Sequence, residues 1–305
     1  MDIDTIGKAA DVADKALNRL DGVLAWFNEP KEEARKYLVE AIKKDSMLSA
    51  QEASSLLVRS RKLAREYANS KEIYEKAKRS FEAPKSADVK IDDDWLHFFF
   101  DKAEKVSNES MQDIWARLLS GEFNKPGSIS RKLLHIISIM DVHSARSFQT
   151  LCYYIFDRRG LFDYDYRVLI LPEGFYKDCF EFSQKVEQWL TKAGYPDSRN
   201  LTVALTMTAG ELNSLENLGL VHASQVAKTE SDLYYFLDNM ELAIISPPEG
   251  VGIEHGPYFL TPEGTTLYDI LSNRGQKPVL EIMKNYWEAN NLNPTYTMTL
   301  GSKGV

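Results

Sequence analysis

Cysteine is scarce in this chain: Cys152 and Cys179 are the two in 305 residues. Two cysteines cannot build a disulfide framework, and their wide separation does not match the ligand spacing of a zinc site. Such low cysteine usage is typical of proteins in a reducing compartment. We therefore expect a cytoplasmic protein.

Long hydrophobic runs are also missing. The longest strongly apolar run, LLHIISIM at 133–140, is far shorter than the roughly 20 residues that cross a bilayer. The first residues, MDIDTIGKAADVADKAL, lack the basic region and apolar core of a signal peptide. We expect neither a membrane-spanning segment nor a membrane partner.

The chain also lacks the strongly basic balance of proteins that bind nucleic acid. Its formal net charge is −8, and the charge is unevenly placed. Residues 1–90 carry 18 basic and 16 acidic side chains, a net of +2, whereas the remainder carries 19 and 29, a net of −10. Hydrophobic residues (44%) and charged residues (27%) are those of an ordinary soluble protein. Nucleic acid is therefore a weakly supported partner.

Recognisable catalytic motifs are absent from the sequence. It contains no Walker A loop, no GxSxG elbow and no dinucleotide-binding fingerprint. None of the five histidines has the spacing that places two imidazoles on one metal: they are His97, His135, His143, His222 and His255. We interpret His97 and His135 as core histidines, and the glycine-rich GVGIEHG segment (250–256) as a hairpin loop. We predict no catalytic residue, no cofactor and no metal.

Clustered carboxylates offer the one enzymatic alternative. Asp92, Asp93 and Asp94 are consecutive, and Asp88 and Lys90 have the D-x-K spacing of some nucleases. A metal-dependent nuclease needs carboxylates that clamp a divalent ion and activate the attacking water. Aspartates that lead into a helix more often cap it and complement its dipole. We rank a nuclease below a role without catalysis.

The N-terminal third (1–82) has the pattern of long helices. Its first apolar positions recur every three or four residues, which forms a heptad seam, and we expect Pro30 to end this helix. The seam residues are Ile3, Ile6, Ala10, Ala13, Leu17, Leu20, Leu24 and Phe27. The favoured interpretation is packing against the rest of the chain, and the alternative is self-association or a helical partner. A second helix follows, and a third begins near Ser49.

Four cations on the third helix form the candidate interaction surface. They are Arg59, Arg61, Lys62 and Arg65. Such a cluster can contact phosphates or an acidic partner. Its simpler interpretation is a solvated helix face.

The most distinctive segment is SNESMQDIWARLLSGEFNKPGSIS (107–130), which we call the signature segment. Ser107 is predicted to cap a helix whose core stripe is Met111, Ile114, Trp115, Leu118 and Leu119. Gly121 is predicted to end that helix in a left-handed conformation, and Pro126-Gly127 to form the turn. Ser128 or Ser130 then caps the next helix, and Asp141 the one after it. Glu122 has no structural role that the pattern explains.

Domain limits follow from these features. We expect a linker at 83–94, because this segment contains Pro84 and no apolar period. A central helical domain spans 95–160 and begins with an aromatic helix around Trp95. Its signature residues are Trp95, Trp115, Leu118, Gly121, Glu122, Pro126, Gly127 and Ser128.

The C-terminal part (161–290) has the pattern of an α+β module. A helix ending at Gly219, a strand at Leu220-Val221, a hairpin around Asp238-Asn239, and a strand and helix joined by Thr261-Pro262 follow one another. This order is similar to winged-helix modules. The helix at 208–219 carries two Glu and no Lys or Arg, so a protein partner suits it better than DNA. We expect a docked helix at 277–290 and a flexible tail at 291–305.

Residues 92–141 most strongly resemble the bacterial DUF2806 family, through DDDWLHFFF, MQDIWARLLSGE and PGSIS. A looser similarity covers most of 55–271; Ile129 and the REYAN segment depart from the family pattern. The IWARLL unit also resembles helical abortive-infection proteins, which implies a role in phage defence. The resemblance brings no established activity.

Together these observations predict a mainly α protein with long N-terminal helices, a central bundle and an α+β C-terminal module. We expect an interaction, sensor or scaffold protein of anti-phage defence, which self-associates, binds a protein partner, or does both. The alternatives are a DNA-binding regulator and, less favoured, the metal-dependent nuclease.

Overall fold

The computed structural model describes residues 3–44, 47–81, 91–153, 155–159, 165–169, 180–192, 194, 207–223, 227–229, 233–236, 241–245, 253–255, 258–271, 284–285, 288 and 295–298. The chain divides into two compact units, Met1–Ile139 and Met140–Val305. This division lies inside the range 95–160 that the sequence suggested as one domain, and the predicted domain limits stay predictions.

The regular elements that the structure describes in unit 1 are all helices, which agrees with the expected mainly α class. Its helices are α1 (Ile3–Lys44), α2 (Ala50–Lys78), α3 (Asp93–Ala103), α4 (Glu109–Asn124) and α5 (Arg131–Ile139). Helices α1 and α2 pack on each other as an antiparallel hairpin, α2 packs on α4, and α3 packs on α5. No helix among the described residues is long and apolar enough to cross a membrane.

Helix α1 continues through Pro30, so the predicted helix end at Pro30 is wrong. Proline cannot donate the backbone hydrogen bond and normally costs about 3 kcal/mol inside a helix. Here the residues before and after Pro30 both contact α3 or its end. The Phe27 ring lies 5.6 Å from Phe100, and Lys31 contacts Glu104. Tertiary packing therefore outweighs the local signal.

The described part of the heptad seam faces the protein's own interior. Leu20 is buried, and Leu24 and Phe27 are half-buried. The side chains of 3–17 lie outside the described residues. For the positions that the structure describes, the favoured interpretation of packing within the chain is confirmed.

Helix α2 begins next to Ser49, where the sequence predicted a helix start. The Ser49 hydroxyl accepts from the Glu52 N–H at 3.3 Å, and the Glu52 carboxylate accepts from the Ser49 N–H at 2.9 Å. This reciprocal capping box satisfies N–H groups that have no partner inside the helix.

The limits of α4 differ from the prediction at both ends. Asn108 caps the helix by accepting from the Met111 N–H at 3.1 Å, while the Ser107 hydroxyl accepts from the Asn69 amide at 3.0 Å. Gly121 is helical, and the left-handed residue is Gly127, with φ +82°. The helix is one turn longer than expected, and Glu122 lies in this added turn.

Unit 2 combines helices with an antiparallel sheet. Its helices are α6 (Val142–Cys152), α7 (Phe180–Lys192), α8 (Ala209–Asn217) and α9 (Pro262–Leu271). Its strands are β1 (Ile155–Arg159), β2 (Asp165–Leu169), β3 (Val221–Ala223), β4 (Ala227–Thr229), β5 (Leu233–Phe236), β6 (Glu241–Ile245), β7 (Ile253–His255), β8 (Tyr258–Leu260) and β9 (Thr295–Met298). Seven strands form a sheet in the order β3-β8-β2-β1-β5-β6-β9, and β4 pairs with β7.

The predicted hairpin is present, since β5 pairs with β6 with Phe236 opposite Leu242. Residues 237–240, which include Asp238-Asn239, lie outside the described residues. Residues 295–298 were expected in a flexible tail but form strand β9 against β6, with Tyr296 opposite Ala243. Backbone pairing fixes this short segment despite its polar neighbours. The helix expected at 277–290 lies largely outside the described residues, and the winged-helix comparison stays a prediction.

A tight backbone junction joins α8 to α9. The Leu220 N–H donates to the Leu215 carbonyl at 3.0 Å and the Gly219 N–H to the Glu216 carbonyl at 2.8 Å, which is a Schellman motif with Gly219 at φ +74°. The Thr261 hydroxyl caps α9 and also donates to the Gly219 carbonyl at 2.6 Å. The end of one helix is thereby bonded to the start of the other.

This junction makes a prediction at Gly264. A Cβ added there would lie 1.9 Å from the Leu220 carbonyl oxygen, so backbone must move. We expect Gly264→Ala to lower the free energy of unfolding by about 3 kcal/mol, measured by denaturant unfolding.

Gly210 in α8 is the matched control, since an added Cβ there meets nothing closer than the Thr208 hydroxyl at 3.9 Å. Gly210→Ala should stabilise by about 0.5 kcal/mol, because alanine favours a helix. Equal effects of the two substitutions would contradict the close approach.

Candidate functional site

The hairpin of α1 and α2 is anchored to the body of unit 1 at one end. Tyr74 donates to Asp21 across the hairpin, and Lys31 of α1 contacts Glu104 after α3. The Asn69 amide of α2 donates to the Glu104 carbonyl at 2.8 Å. Burial and the neighbouring Asp21 carboxylate raise the pKa of the Tyr74 hydroxyl, so it remains a donor at neutral pH.

Beyond this anchor the hairpin is exposed. We call residues 32–44 and 47–65 the arm. Ser60 is the buried residue within the arm, whereas α2 carries Glu66, Asn69, Ser70, Ile73, Tyr74 and Ala77 as buried residues beyond it. The arm is therefore held mainly by its own two helices.

Large apolar side chains are exposed on the arm. Met47 is 89% exposed, Tyr37 74%, Val58 64% and Leu57 41%. Isolated exposed apolar residues are common on protein surfaces, but several on one small element indicate a contact surface.

The four predicted cations all lie on the arm and are exposed. Lys62 Nζ lies 3.7 Å from Glu66 Oε1. Arg59, Arg61 and Arg65 form no ion pair with any residue that the structure describes. Val58, Arg61 and Arg65 follow each other at helical spacing on the same exposed side of α2. The candidate surface thus combines cations with an apolar side chain.

The signature segment is mostly interior. Trp115, Leu118 and Leu119 are fully buried. The Trp115 ring lies edge-on to Phe99 at 5.2 Å, and Phe99 stacks on Trp95 at 5.3 Å. The core stripe predicted for this helix is confirmed, and Trp115 packs against the aromatic rings of α3.

Glu122, which the sequence pattern left unexplained, holds the turn between α4 and α5. Its carboxylate is 2% exposed and accepts from the Gly127 N–H at 2.5 Å and the Ile129 N–H at 2.9 Å. Glu122 therefore acts as the acceptor for backbone groups that Pro126-Gly127 turns inward. Ser128 donates its hydroxyl to the Gly121 carbonyl at 3.4 Å, and Ser130 is the residue that caps α5.

The other side of this turn is held by Trp95. Its indole N–H donates to the Ile129 carbonyl at 2.8 Å. Ile129 is thus bonded through its N–H to α4 and through its carbonyl to α3. Bonds from two helices fix the position of α5.

Burial raises the pKa of Glu122 above its ordinary value. The N–H groups of residues 127–129 favour the charged form and oppose this shift, while the charge of Asp92 adds to it. A buried carboxylate with a raised pKa is typical of catalytic sites. Here both oxygens are occupied by backbone donors, so the group is structural.

A buried polar network, which the sequence pattern did not reveal, links α2 to the start of α4. The Gln112 amide donates to the Val106 carbonyl at 2.9 Å and contacts the Asn69 amide oxygen at 3.4 Å. Both side chains are buried. The sequence does not indicate which distant residue a polar side chain at a helical core position will contact. The network could therefore not be predicted from the pattern.

The carboxylates proposed for a nuclease are engaged in helix capping and an ion pair. Asp92 caps α3 by accepting from the Asp94 N–H at 3.1 Å, and Arg131 lies 3.2 Å from Asp92 and 3.6 Å from Asp94. Asp88 and Lys90 lie outside the described residues. Within the described part of the chain, no three His, Cys, Asp or Glu side chains are grouped to hold a metal.

The histidines differ from each other in burial. His97 is half-buried and its ring lies 4.6 Å from the Trp26 ring. His135 is exposed, so its assignment as a core histidine is wrong. It lies on the outer face of α5, opposite the apolar stripe that its neighbours form.

Comparison with known families agrees with the resemblance of the signature segment. A family model described as a protein of unknown function, DUF2806, matches residues 57–283. The chain belongs to the DUF2806 family. No curated protein and no solved structure matches it. The DUF2806 match includes the cations of α2, the signature segment and much of unit 2, whereas α1 precedes it.

The Glu122 turn makes a stability prediction. Glu122→Gln keeps the size of the side chain but replaces one acceptor oxygen by a donor that faces a backbone N–H. We expect the free energy of unfolding to fall by about 2 kcal/mol, measured by denaturant unfolding. Glu109, exposed in the same helix, is the control; Glu109→Gln should change stability by about 0.5 kcal/mol or less.

The raised pKa of Glu122 predicts how its contribution varies with pH. Ionisation costs the folded state more than the unfolded state, so the contribution is full below the ordinary Glu pKa. It is lost as pH rises through the higher folded-state pKa. The stability advantage of the wild type over Glu122→Gln should therefore shrink as pH rises above the ordinary Glu pKa of about 4.3. An advantage that grows over this range contradicts the direction of the shift.

Proposed function

We propose that this DUF2806 protein is a cytoplasmic interaction protein that binds a protein partner through its arm and does not act as an enzyme. The observation that carries the proposal is the exposure of Tyr37, Leu57 and Val58 beside unpaired arginines. Apolar anchors with arginine at the rim are typical of protein interfaces. A role in phage defence, as scaffold or sensor, is part of the proposal and rests on the IWARLL resemblance.

A photo-reactive amino acid placed at Val58 tests the proposal in living bacteria. We expect a cross-linked protein product that disappears when Tyr37→Ser and Arg61→Glu are introduced together, because these changes remove an apolar contact and reverse a charge. Mass spectrometry of the product identifies the partner. The same label at Ile139, which is 59% exposed away from the arm, is the control and should not give this product.

The experiment also separates the alternatives. No protein product at Val58, with or without phage infection, contradicts the proposal. The three unpaired arginines motivate the alternative of a DNA-binding regulator. Cross-linking to duplex DNA instead of protein, together with salt-sensitive retention of DNA, favours this alternative. Equal plaque counts for cells with and without the protein contradict the defence role alone.

A further inference from the structure

Buried polar side chains are concentrated where the arm meets the anchored end of the hairpin. They are Asn28 of α1, Glu66, Asn69 and Ser70 of α2, and Glu104 at the end of α3. We call these residues the polar layer. Burying a polar group is costly unless hydrogen bonds replace its contacts with water. The polar layer therefore interrupts the apolar packing of the hairpin.

The two sides of the polar layer are packed very differently. On the anchored side, Leu20, Ile73, Tyr74 and Ala77 are buried with the core of unit 1. On the other side, Ser60 is the buried residue among the described residues of the arm. The apolar core of unit 1 thus ends at the polar layer. A segment with so few buried contacts opens at a lower free energy than global unfolding requires.

Helix α1 is weakened at the level of the polar layer. Asn28 lies about two turns after Asp21, and therefore on the side of α1 that meets Tyr74 of α2. The Oδ1 atom of Asn28 is buried and accepts no hydrogen bond from any residue that the structure describes. Pro30 follows within the same helix and lacks the N–H that bonds one turn of backbone to the next.

Asn69, in contrast, is satisfied within the polar layer. Its amide nitrogen donates to the Glu104 carbonyl at 2.8 Å and to the Ser107 hydroxyl at 3.0 Å, and its oxygen accepts from the Gln112 amide at 3.4 Å. These bonds hold α2 to the rest of unit 1. The oxygen of Asn28 gains no such bond when α1 packs on α2. Water can satisfy it once the helices separate, so Asn28 favours an open hairpin.

We infer that the arm opens and closes as one unit at the polar layer, while the anchored end of the hairpin stays folded. In the closed hairpin Leu38 of α1 and Leu56 and Leu63 of α2 are half-buried. Opening uncovers them and adds apolar surface beside the exposed arginines of α2. This inference goes beyond the proposed function, since it concerns the chain alone and holds whether or not a partner binds the arm.

Hydrogen exchange of the full-length protein, followed by mass spectrometry, measures this opening. Separated helices of this length are marginally stable in water, so opening lets their amides exchange. In the wild type, the amides of 36–44 and 54–65 should exchange about a hundredfold faster than those of 70–77, or more. Equal protection of the arm and of 70–77 overturns the inference.

Asn28→Leu tests whether the opening includes the polar layer. Leucine has nearly the shape of asparagine and leaves no unpaired oxygen, so it favours the closed arm. Exchange throughout 36–44 and 54–65 should become about tenfold slower. No slowing, or slowing confined to the turn of α1 around residue 28, overturns the inference.

Asn69→Leu is the matched control, since it makes the same replacement in the anchored end of the hairpin. It removes the donor to the Glu104 carbonyl, so exchange of 70–77 should become about tenfold faster or more. The bonds of Asn69 persist while the arm is open, so exchange of 36–44 and 54–65 should stay within about twofold of the wild type. Acceleration of all three ranges by one factor means that the hairpin opens as a whole, and overturns the inference. The wild-type comparison decides alone if circular dichroism shows that a variant does not fold.

Discussion

The buried carboxylate of Glu122 is the interaction on which the arrangement of unit 1 depends. A helix followed by Pro126-Gly127 leaves backbone N–H groups that face the interior, where water cannot satisfy them. Glu122 accepts hydrogen bonds from two of these groups, the N–H of Gly127 and the N–H of Ile129. The Trp95 indole donates to the Ile129 carbonyl, which lies just before α5. The polar groups of the turn are thereby satisfied inside a core of aromatic rings. The same bonds set where α5 starts and hence how it packs on α3.

The base of the hairpin is built on the same principle. Asn69 and Gln112 are buried, and their amides donate to backbone carbonyls at the end of α3 and before α4. Such bonds specify one position of α2, because a shift by one turn leaves buried amides without partners. Beyond Glu66 this specification ends. The arm has apolar side chains but no third helix among the described residues to cover them.

Local signals in the sequence predicted local structure well. Ser130 and Asp141 cap the helices at which they were expected, because a cap involves a side chain and the next turn of backbone. The core stripe of α4 was also predictable, since the spacing of its apolar residues follows the helical period of 3.6 residues. Two of the failures involve partners that are distant in sequence. Pro30 lies within a helix because Phe27 and Lys31 are held by α3 and its end, and residues 295–298 form a strand because β6 offers an edge.

The candidate site was predictable in part for the same reason. Four clustered cations are visible in the sequence, and their exposure agrees with a solvated face as well as with an interface. What the sequence could not show is that these cations lie beyond the anchored end of the hairpin, because that relation depends on the packing of α1 on α2 and on the contact between Asp21 and Tyr74. The exposed side chains of Tyr37, Leu57 and Val58 and the arginines of α2 have no partner among the described residues of the chain, and this is the physical reason to look for function in binding.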